Sequence, residues 1–192
     1  MRKWILMIPI LLLTVCGAAW TQETEPEAKP EMKTEEKSEI ALSIGYGAFL
    51  PTNSDTKDTF GSTWGRFSID IFRPNPPEKW TPLIDLGLLS RDNNDSSVRL
   101  FALNGGVIRG FGGTESLQPY VILRAGPYYG SVDVDSLGVD ENKIGLNANA
   151  AIGLMFNKRY YVEARYDYFS KIGGFNFDGL TLSGGIKVYT FK

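Results

Sequence analysis

From Ile40 to the C-terminal Lys192, apolar and polar residues alternate with a period of two, and few folds accept that pattern. Successive side chains of a strand point to opposite faces, so the pattern writes a ribbon with one apolar and one polar side. The clearest run is KIGLNANAAIGLMF, residues 143–156. Ile144, Leu146, Ala148, Ala150, Ile152, Leu154 and Phe156 share one face, while Gly145, Asn147, Asn149 and Gly153 share the other. In RYYVEARYDYF, residues 159–169, Glu163, Arg165 and Asp167 alternate with Val162, Ala164, Tyr166 and Tyr168. No helical period competes in either stretch.

Six further segments read the same way: IALSIGYGAFL (40–50), GRFSIDIFR (65–73), PLIDLGLLS (82–90), VRLFALNGGVIR (98–109), PYVILRAGPYYG (119–130) and GLTLSGGIKVYTF (179–191). Eight strands of about 9 to 14 residues match the length of a tilted transmembrane strand. The connections PNPPEK, GFGGTES and NKR are turn-rich. They alternate with PTNSDTKDTFGST, RDNNDSS, SVDVDSLGVDEN and SKIGGFNFD, which are on average longer and more acidic. Short turns on one side and longer loops on the other suit an up-and-down barrel threaded through a membrane. The expected fold is therefore all-β: an eight-stranded antiparallel up-and-down transmembrane β-barrel over residues 40–192.

The charges decide which face looks inward. The polar faces collect Arg66, Asp70, Asp85, Arg124, Glu163, Arg165, Asp167 and Lys187, four basic and four acidic residues. A water-soluble barrel would turn these faces to solvent and would have to fit every apolar face inside. An eight-strand lumen is only just wide enough for side chains to fill. Small polar residues, glycines and paired ions fill it more naturally, and sign matching suits an enclosed network because an unpaired buried charge is very costly. The opposite faces carry hardly a charge mid-strand, as contact with lipid requires. Tyr160, Tyr166 and Tyr168 fall near strand ends, where an aromatic girdle is expected.

The chain before Ile40 has a different character. MRKWILMIPILLLTVCGAAW has Arg2 and Lys3, an apolar run from Trp4 to Val15, and then Gly17, Ala18 and Ala19, the order of a secretory signal peptide over residues 1–19. Cys16, the single cysteine, lies in LTVC. That stretch resembles a bacterial lipoprotein box, from which Val15 departs because the pattern has a small residue before the Cys. Residues 20–39, WTQETEPEAKPEMKTEEKSE, carry seven Glu, three Lys and two Pro and bury almost nothing. A disordered acidic tether on the periplasmic side is the expectation.

Composition removes several functions. The chain has no His, which excludes any triad, dyad or metal site that needs imidazole. From Ile40 onward 15 basic residues balance 15 acidic ones, and no basic face suggests nucleic acid. Glu163, Arg165 and Asp167 could form a proton path, but a salt-bridge ladder with Arg66, Arg124 and Lys187 is the expected arrangement. Asp133, Asp135, Asp140 and Glu141 lack the spacing of a calcium loop and are expected to be solvated. GFGG at Gly110–Gly113 precedes no helix and reads as a turn rather than a phosphate cradle.

With signal peptide, eight amphipathic strands, polar core and aromatic-rich last strand, the chain resembles the small outer-membrane barrels of the OmpA and OmpX type over Ile40 to Phe191. The closing GGIKVYTFK is similar to the signal such barrels present to their assembly machinery, which ends on an aromatic residue. Here Lys192 follows Phe191, and strict alternation turns Tyr189 and Phe191 away from the apolar face. The resemblance implies localisation in the bacterial outer membrane. It implies partnership with outer-membrane lipid, with barrel assembly machinery and periplasmic chaperones during biogenesis, and with an extracellular partner through the loops. No peptidoglycan-binding second domain is expected, since the chain ends with the eighth strand.

Barrels of this size mostly stabilise the envelope or display loops for adhesion, and that non-enzymatic role, with a plugged and charge-balanced interior, is the expectation here. A narrow pore would require the ion pairs to rearrange. Lipid-modifying enzymes that share the barrel size rely on a catalytic His, as the resemblance implies, and this chain has none. No catalytic residue, metal or cofactor is expected.

Overall fold

The computed structural model describes residues 40–72, 78–93, 95–114 and 116–191. The expected signal peptide at 1–19, the tether at 20–39 and Cys16 lie outside the described residues, as do residues 73–77 and Lys192. Eight strands pair antiparallel in chain order and close into a barrel. They are β1 (Ile40–Pro51), β2 (Trp64–Phe72), β3 (Thr81–Asn93), β4 (Ser96–Gly110), β5 (Leu117–Val134), β6 (Val139–Phe156), β7 (Tyr160–Phe169) and β8 (Gly179–Phe191). Closure is made by β1 against β8, with Ile40 opposite Phe191, so both barrel ends of the chain emerge on one rim. That rim carries the short turns. On it β6 joins β7 through residues 157–159, with Asn157 and Lys158 both at positive φ (49° and 56°) and the Arg159 N–H donating to the Phe156 carbonyl at 3.0 Å.

Alternation becomes inside and outside as the period requires. On β7 Tyr161, Glu163, Arg165, Asp167 and Phe169 are buried, while Tyr160, Val162, Tyr166 and Tyr168 are exposed. Ile84, Phe101, Leu103, Leu123, Ile152 and Leu182 lie on the outer wall and are each roughly half exposed or more. A water-soluble surface rarely exposes so continuous an apolar band. β4 measures its height. Arg99 and Arg109 point outward ten positions apart, with Phe101, Leu103, Gly105 and Val107 between them. Ten residues at ~3.3 Å each, on a strand tilted by ~40°, span ~25 Å, the height of the apolar band of an outer-membrane barrel.

The interior departs from the expectation of ions, glycines and small polar residues, because it is layered. At the loop rim Phe49, Phe60, Trp64, Tyr128, Phe169, Phe175 and Phe177 join Leu89, Val98, Leu100, Val132 and Ile172 in a dense apolar plug. At the turn rim Leu83, Ile108, Ile122, Ala151 and Met155 pack with Tyr120 and Tyr161. The ionic residues lie between. Large inward side chains at both ends fill the lumen where no counter-charge is near, and each apolar layer keeps water from the charges.

The loop rim also differs from the sequence expectation. SVDVDSLGVDEN, read as a long loop, is mostly strand, with pairing that continues to Val134 opposite Val139 and a turn of one short 3₁₀ helix, Asp135–Leu137. Val132 and Val134 point into the apolar plug, and their burial extends the ladder. Of RDNNDSS, residues 91–93 and 96–97 likewise become strand, with Asn93 paired to Ser96. The first long connection contains a helix, α1 (Ser54–Phe60). Its Asn53 cap accepts from the Thr56 N–H at 3.1 Å, and Thr56 Oγ1 donates to the Asn176 carbonyl at 2.7 Å. The helix sets Phe60 edge-on against Phe175 at 5.1 Å, so the helix and the last loop together cap the barrel.

Strict alternation fails once, in β8. Ser43 pairs with Lys187, but its neighbour Leu42 pairs with Tyr189, leaving Val188 as the extra residue of a β-bulge. The bulge reverses the phase, so Tyr189 and Phe191 face outward, each more than half exposed and in mutual ring contact at 4.8 Å. The sequence reading that turned them away from the apolar face is corrected: the terminal aromatics join the outer wall.

Candidate functional site

The central layer of the lumen is an ionic band. β2 supplies Arg66 and Asp70, β3 Asp85, β5 Arg124, and β7 Glu163, Arg165 and Asp167, all at most 5% exposed. Glu163 is the hub. Its Oε1 accepts from Arg165 Nε at 2.8 Å and NH2 at 2.7 Å, and from Arg124 NH1 at 3.4 Å; Oε2 accepts from the Tyr120 hydroxyl at 3.4 Å. Arg124 continues to Asp70 Oδ1 at 3.0 Å and Asn149 Oδ1 at 3.2 Å. Arg165 continues to Asp85 Oδ2 at 3.7 Å, which also accepts from Asn104 Nδ2 at 3.0 Å. Arg66 pairs with Asp167 Oδ2 at 2.9 Å, and Thr181 Oγ1 donates to the same oxygen at 3.0 Å.

Seven of the eight expected charged residues thus share one layer: three Arg and four carboxylates, joined as one network, Asp70–Arg124–Glu163–Arg165–Asp85, and one separate pair, Arg66–Asp167. Lys187 stands nearer the turn rim, half-buried, with Nζ 3.8 Å from Met155 Sδ. Sequence reasoning left out Tyr120 and Tyr161, which seal the band from the turn side. Each ring belongs to the apolar layer, while each hydroxyl donates upward, Tyr120 to Glu163 and Tyr161 to Asp70 Oδ2 at 3.4 Å. Their signal was present in the inward phase of β5 and β7. What makes room for them is glycine. A Cβ at Gly153 would overlap the Tyr120 ring, and one at Gly185 would overlap Tyr161.

Burial makes the band rigid in consequence. A guanidinium or carboxylate in the lumen cannot fall back on bulk water, so each depends on its partners. Several buried atoms, Arg66 Nε and Asp167 Oδ1 among them, have no hydrogen-bond partner in the protein and are of the kind that a buried water satisfies. The acidic strand tips form no comparable group. Asp133 faces Asp140 across the hairpin, and Glu141 Oε2 accepts from the Gly173 N–H at 2.9 Å. Among the described residues no cluster of three or more His, Cys, Asp or Glu could hold a metal ion.

Closed eight-strand topology, an apolar outer wall and a salt-bridged lumen define a class: the chain has the fold of the small eight-stranded outer-membrane β-barrels. Solved structures agree. Neisserial surface protein A is similar with a TM-score of 0.60 at 17% identity, over 79% of this chain and 96% of that one. Ail, the attachment invasion locus protein of Yersinia pestis, gives 0.51 at 18% identity, over 80% and 99%. The outer membrane enzyme PagL gives 0.52 at 13% identity, over 77% and 99%. No protein-family model matches the chain, and no curated protein does. Identities this low carry the fold alone, and the same barrel serves an attachment protein and an enzyme.

Proposed function

We propose that this chain is a non-enzymatic integral protein of the bacterial outer membrane, a plugged barrel that stabilises the envelope and displays its loop rim to an extracellular partner. The observation that carries the reading is the ionic band closed between two apolar layers. Every formal charge of the lumen centre is engaged by a neighbour, so none is free to act as an acid, base or nucleophile toward a substrate. The absence of His from the whole chain supports the same conclusion, since the enzymes expected on such a barrel use imidazole. Ion flow would require breaking contacts of 2.7 to 3.0 Å between buried charges and unpacking the aromatic plug. In this reading residues 1–19 direct export, residues 20–39 are a periplasmic tether, and assembly uses the barrel insertion machinery and its chaperones.

The displayed surface is the α1 segment, the β5–β6 hairpin with Asp133, Asp135, Asp140 and Glu141, and the loop from Ser170 to Asp178. The experiment that tests the reading is electrophoresis of the detergent-purified protein with and without boiling, followed by planar-bilayer recording. A heat-dependent shift with no steady conductance is the expected result. A protein that stays soluble without detergent and does not shift refutes the membrane assignment. Steady conductance refutes the plug.

A further inference from the structure

The outer wall is not evenly convex. Between β5 and β8 it carries a groove of about 860 Å³, floored by small residues and walled by larger apolar ones. Its floor is Ala164 on β7 and Gly184 on β8; Val121, Ile152, Val162 and Leu182 rise around them. Two hydrogen-bonded rows explain the shape. One runs Val121, Ile152, Ala164, Leu182 and the other Pro119, Leu154, Val162, Gly184, with the small residues Ala164 and Gly184 diagonal to one another on the last two strands. A Cβ at Gly184 would approach only the Tyr161 carbonyl oxygen, at 3.6 Å, so the site is open to a larger side chain from outside.

The first row continues past Val121 to Arg109, its partner on β4. Arg109 is the outward arginine that marks the turn-side edge of the apolar band. Its guanidinium lies over the ring of Phe111, 5.4 Å from the centroid, and Phe111 itself lines the groove. A second guanidinium, Arg159, lies over Tyr160 at 5.7 Å, one outward position beyond Val162 toward the turn rim. Because the strands tilt, the row climbs from Arg109 at the interface to Ala164 at mid-strand. One apolar channel thus starts beside the ring-held Arg109 and runs into the hydrocarbon depth, while Arg159, three strands away, is a separate cation of the same rim. The turn rim around it is basic: among the described residues Lys79, Arg109, Lys158 and Arg159 stand there against Glu78.

We propose that this groove is a binding site for an anionic glycerophospholipid of the turn-side leaflet, with one acyl chain along Val121, Ile152, Ala164 and Leu182 and the headgroup phosphate on Arg109. The inference rests on the membrane reading above and adds a ligand class to it. Apolar contact alone would hold any lipid. The Arg109 guanidinium is what selects for negative charge, because a planar guanidinium meets phosphate with two donors, and the Phe111 ring beneath it keeps the group oriented. The same surface could instead seat a second barrel, and the test separates the two.

The test is native mass spectrometry of the full chain released from detergent micelles, titrated with phosphatidylglycerol or phosphatidylethanolamine at equal chain length. Wild type retains phosphatidylglycerol about fivefold better than phosphatidylethanolamine. Arg109→Gln removes that preference and leaves residual binding of both lipids. Gly184→Leu, or Val162→Trp where the leucine variant assembles poorly, fills the groove and reduces retention of both. Equal retention of the two lipids by wild type overturns the proposal, as does unchanged retention in the filled variants. A lipid-free dimer dissolved by Gly184→Leu overturns it in favour of a barrel–barrel contact. Each sample is first run boiled and unboiled. A wild type that fails to shift refutes the membrane reading itself, whereas shifted protein with no lipid preference refutes only the site.

Discussion

Glu163→Ala sets two ways of counting against each other. The seven buried charges are three Arg and four carboxylates, so removing Glu163 leaves three of each. Formal balance would then make the variant neutral or better. Geometry says otherwise. Arg124 keeps Asp70 at 3.0 Å and Asn149 at 3.2 Å, but Arg165 loses its contacts at 2.7 and 2.8 Å and retains Asp85 at 3.7 Å. Two charge-assisted hydrogen bonds at roughly 1.5–3 kcal/mol each disappear from a site with no access to bulk water. The expected loss is about 3–5 kcal/mol, the usual cost of orphaning a buried ion. Urea titration in phospholipid bilayers measures it, with tryptophan fluorescence reporting through Trp64 in the apolar plug. Glu163→Leu combined with Arg165→Met removes both ends of the contact, and its cost is expected to fall short of the sum of the single variants by about 2 kcal/mol. Stability of Glu163→Ala at or above wild type, with an unchanged urea dependence, would refute the argument. So would additivity of the pair.

Ala164→Arg, one residue away but on the outer wall, adds a charge to the mid-strand lipid face and is expected to cost about 2–4 kcal/mol in the same titration. A silent Ala164→Arg would mean that the faces are wrongly assigned. Gly153→Ala drives a methyl into the Tyr120 ring and is expected to cost about 1–3 kcal/mol, with Tyr120→Leu in the same chain recovering part of it. Deleting Val188 removes the bulge but leaves Tyr189 and Phe191 outward, so the yield of heat-modifiable barrel in membranes stays near wild type. Deleting Thr190 turns Phe191 inward and lowers that yield; equal yields for the two deletions would remove any role for the outward aromatic.

How much of this was legible beforehand depends on distance along the chain. Strand number, approximate limits and the inward set on β7 follow from period two, a property of the local backbone that no tertiary contact has to supply. Glu163, Arg165 and Asp167 could be set on the inner face for that reason alone. Which partner each one meets could not be read. Arg165 and Glu163 are two residues apart, but Arg66 and Asp167 are 101 apart, and only the closing of β1 on β8 fixes which rows meet across the lumen. The loop rim was misread for a related cause. Polar, acidic SVDVDSLGVDEN resembles a loop by composition, and its two buried valines count only once the plug exists for them to enter. Helix α1 is shorter than two turns and depends on Phe60 meeting Phe175.

By itself, the sequence determined a ribbon of eight two-faced strands with its charges on one side, because alternation is read by a chain from its own pleat. Register, closure and the bulge at Val188 belong to the tertiary structure. A one-residue shift costs nothing locally yet exchanges the faces of everything beyond it, and only the neighbouring strand can choose between the two. Tyr189 and Phe191 show this directly. Their sequence phase points them into the lumen, and the pairing of Leu42 with Tyr189 turns them out.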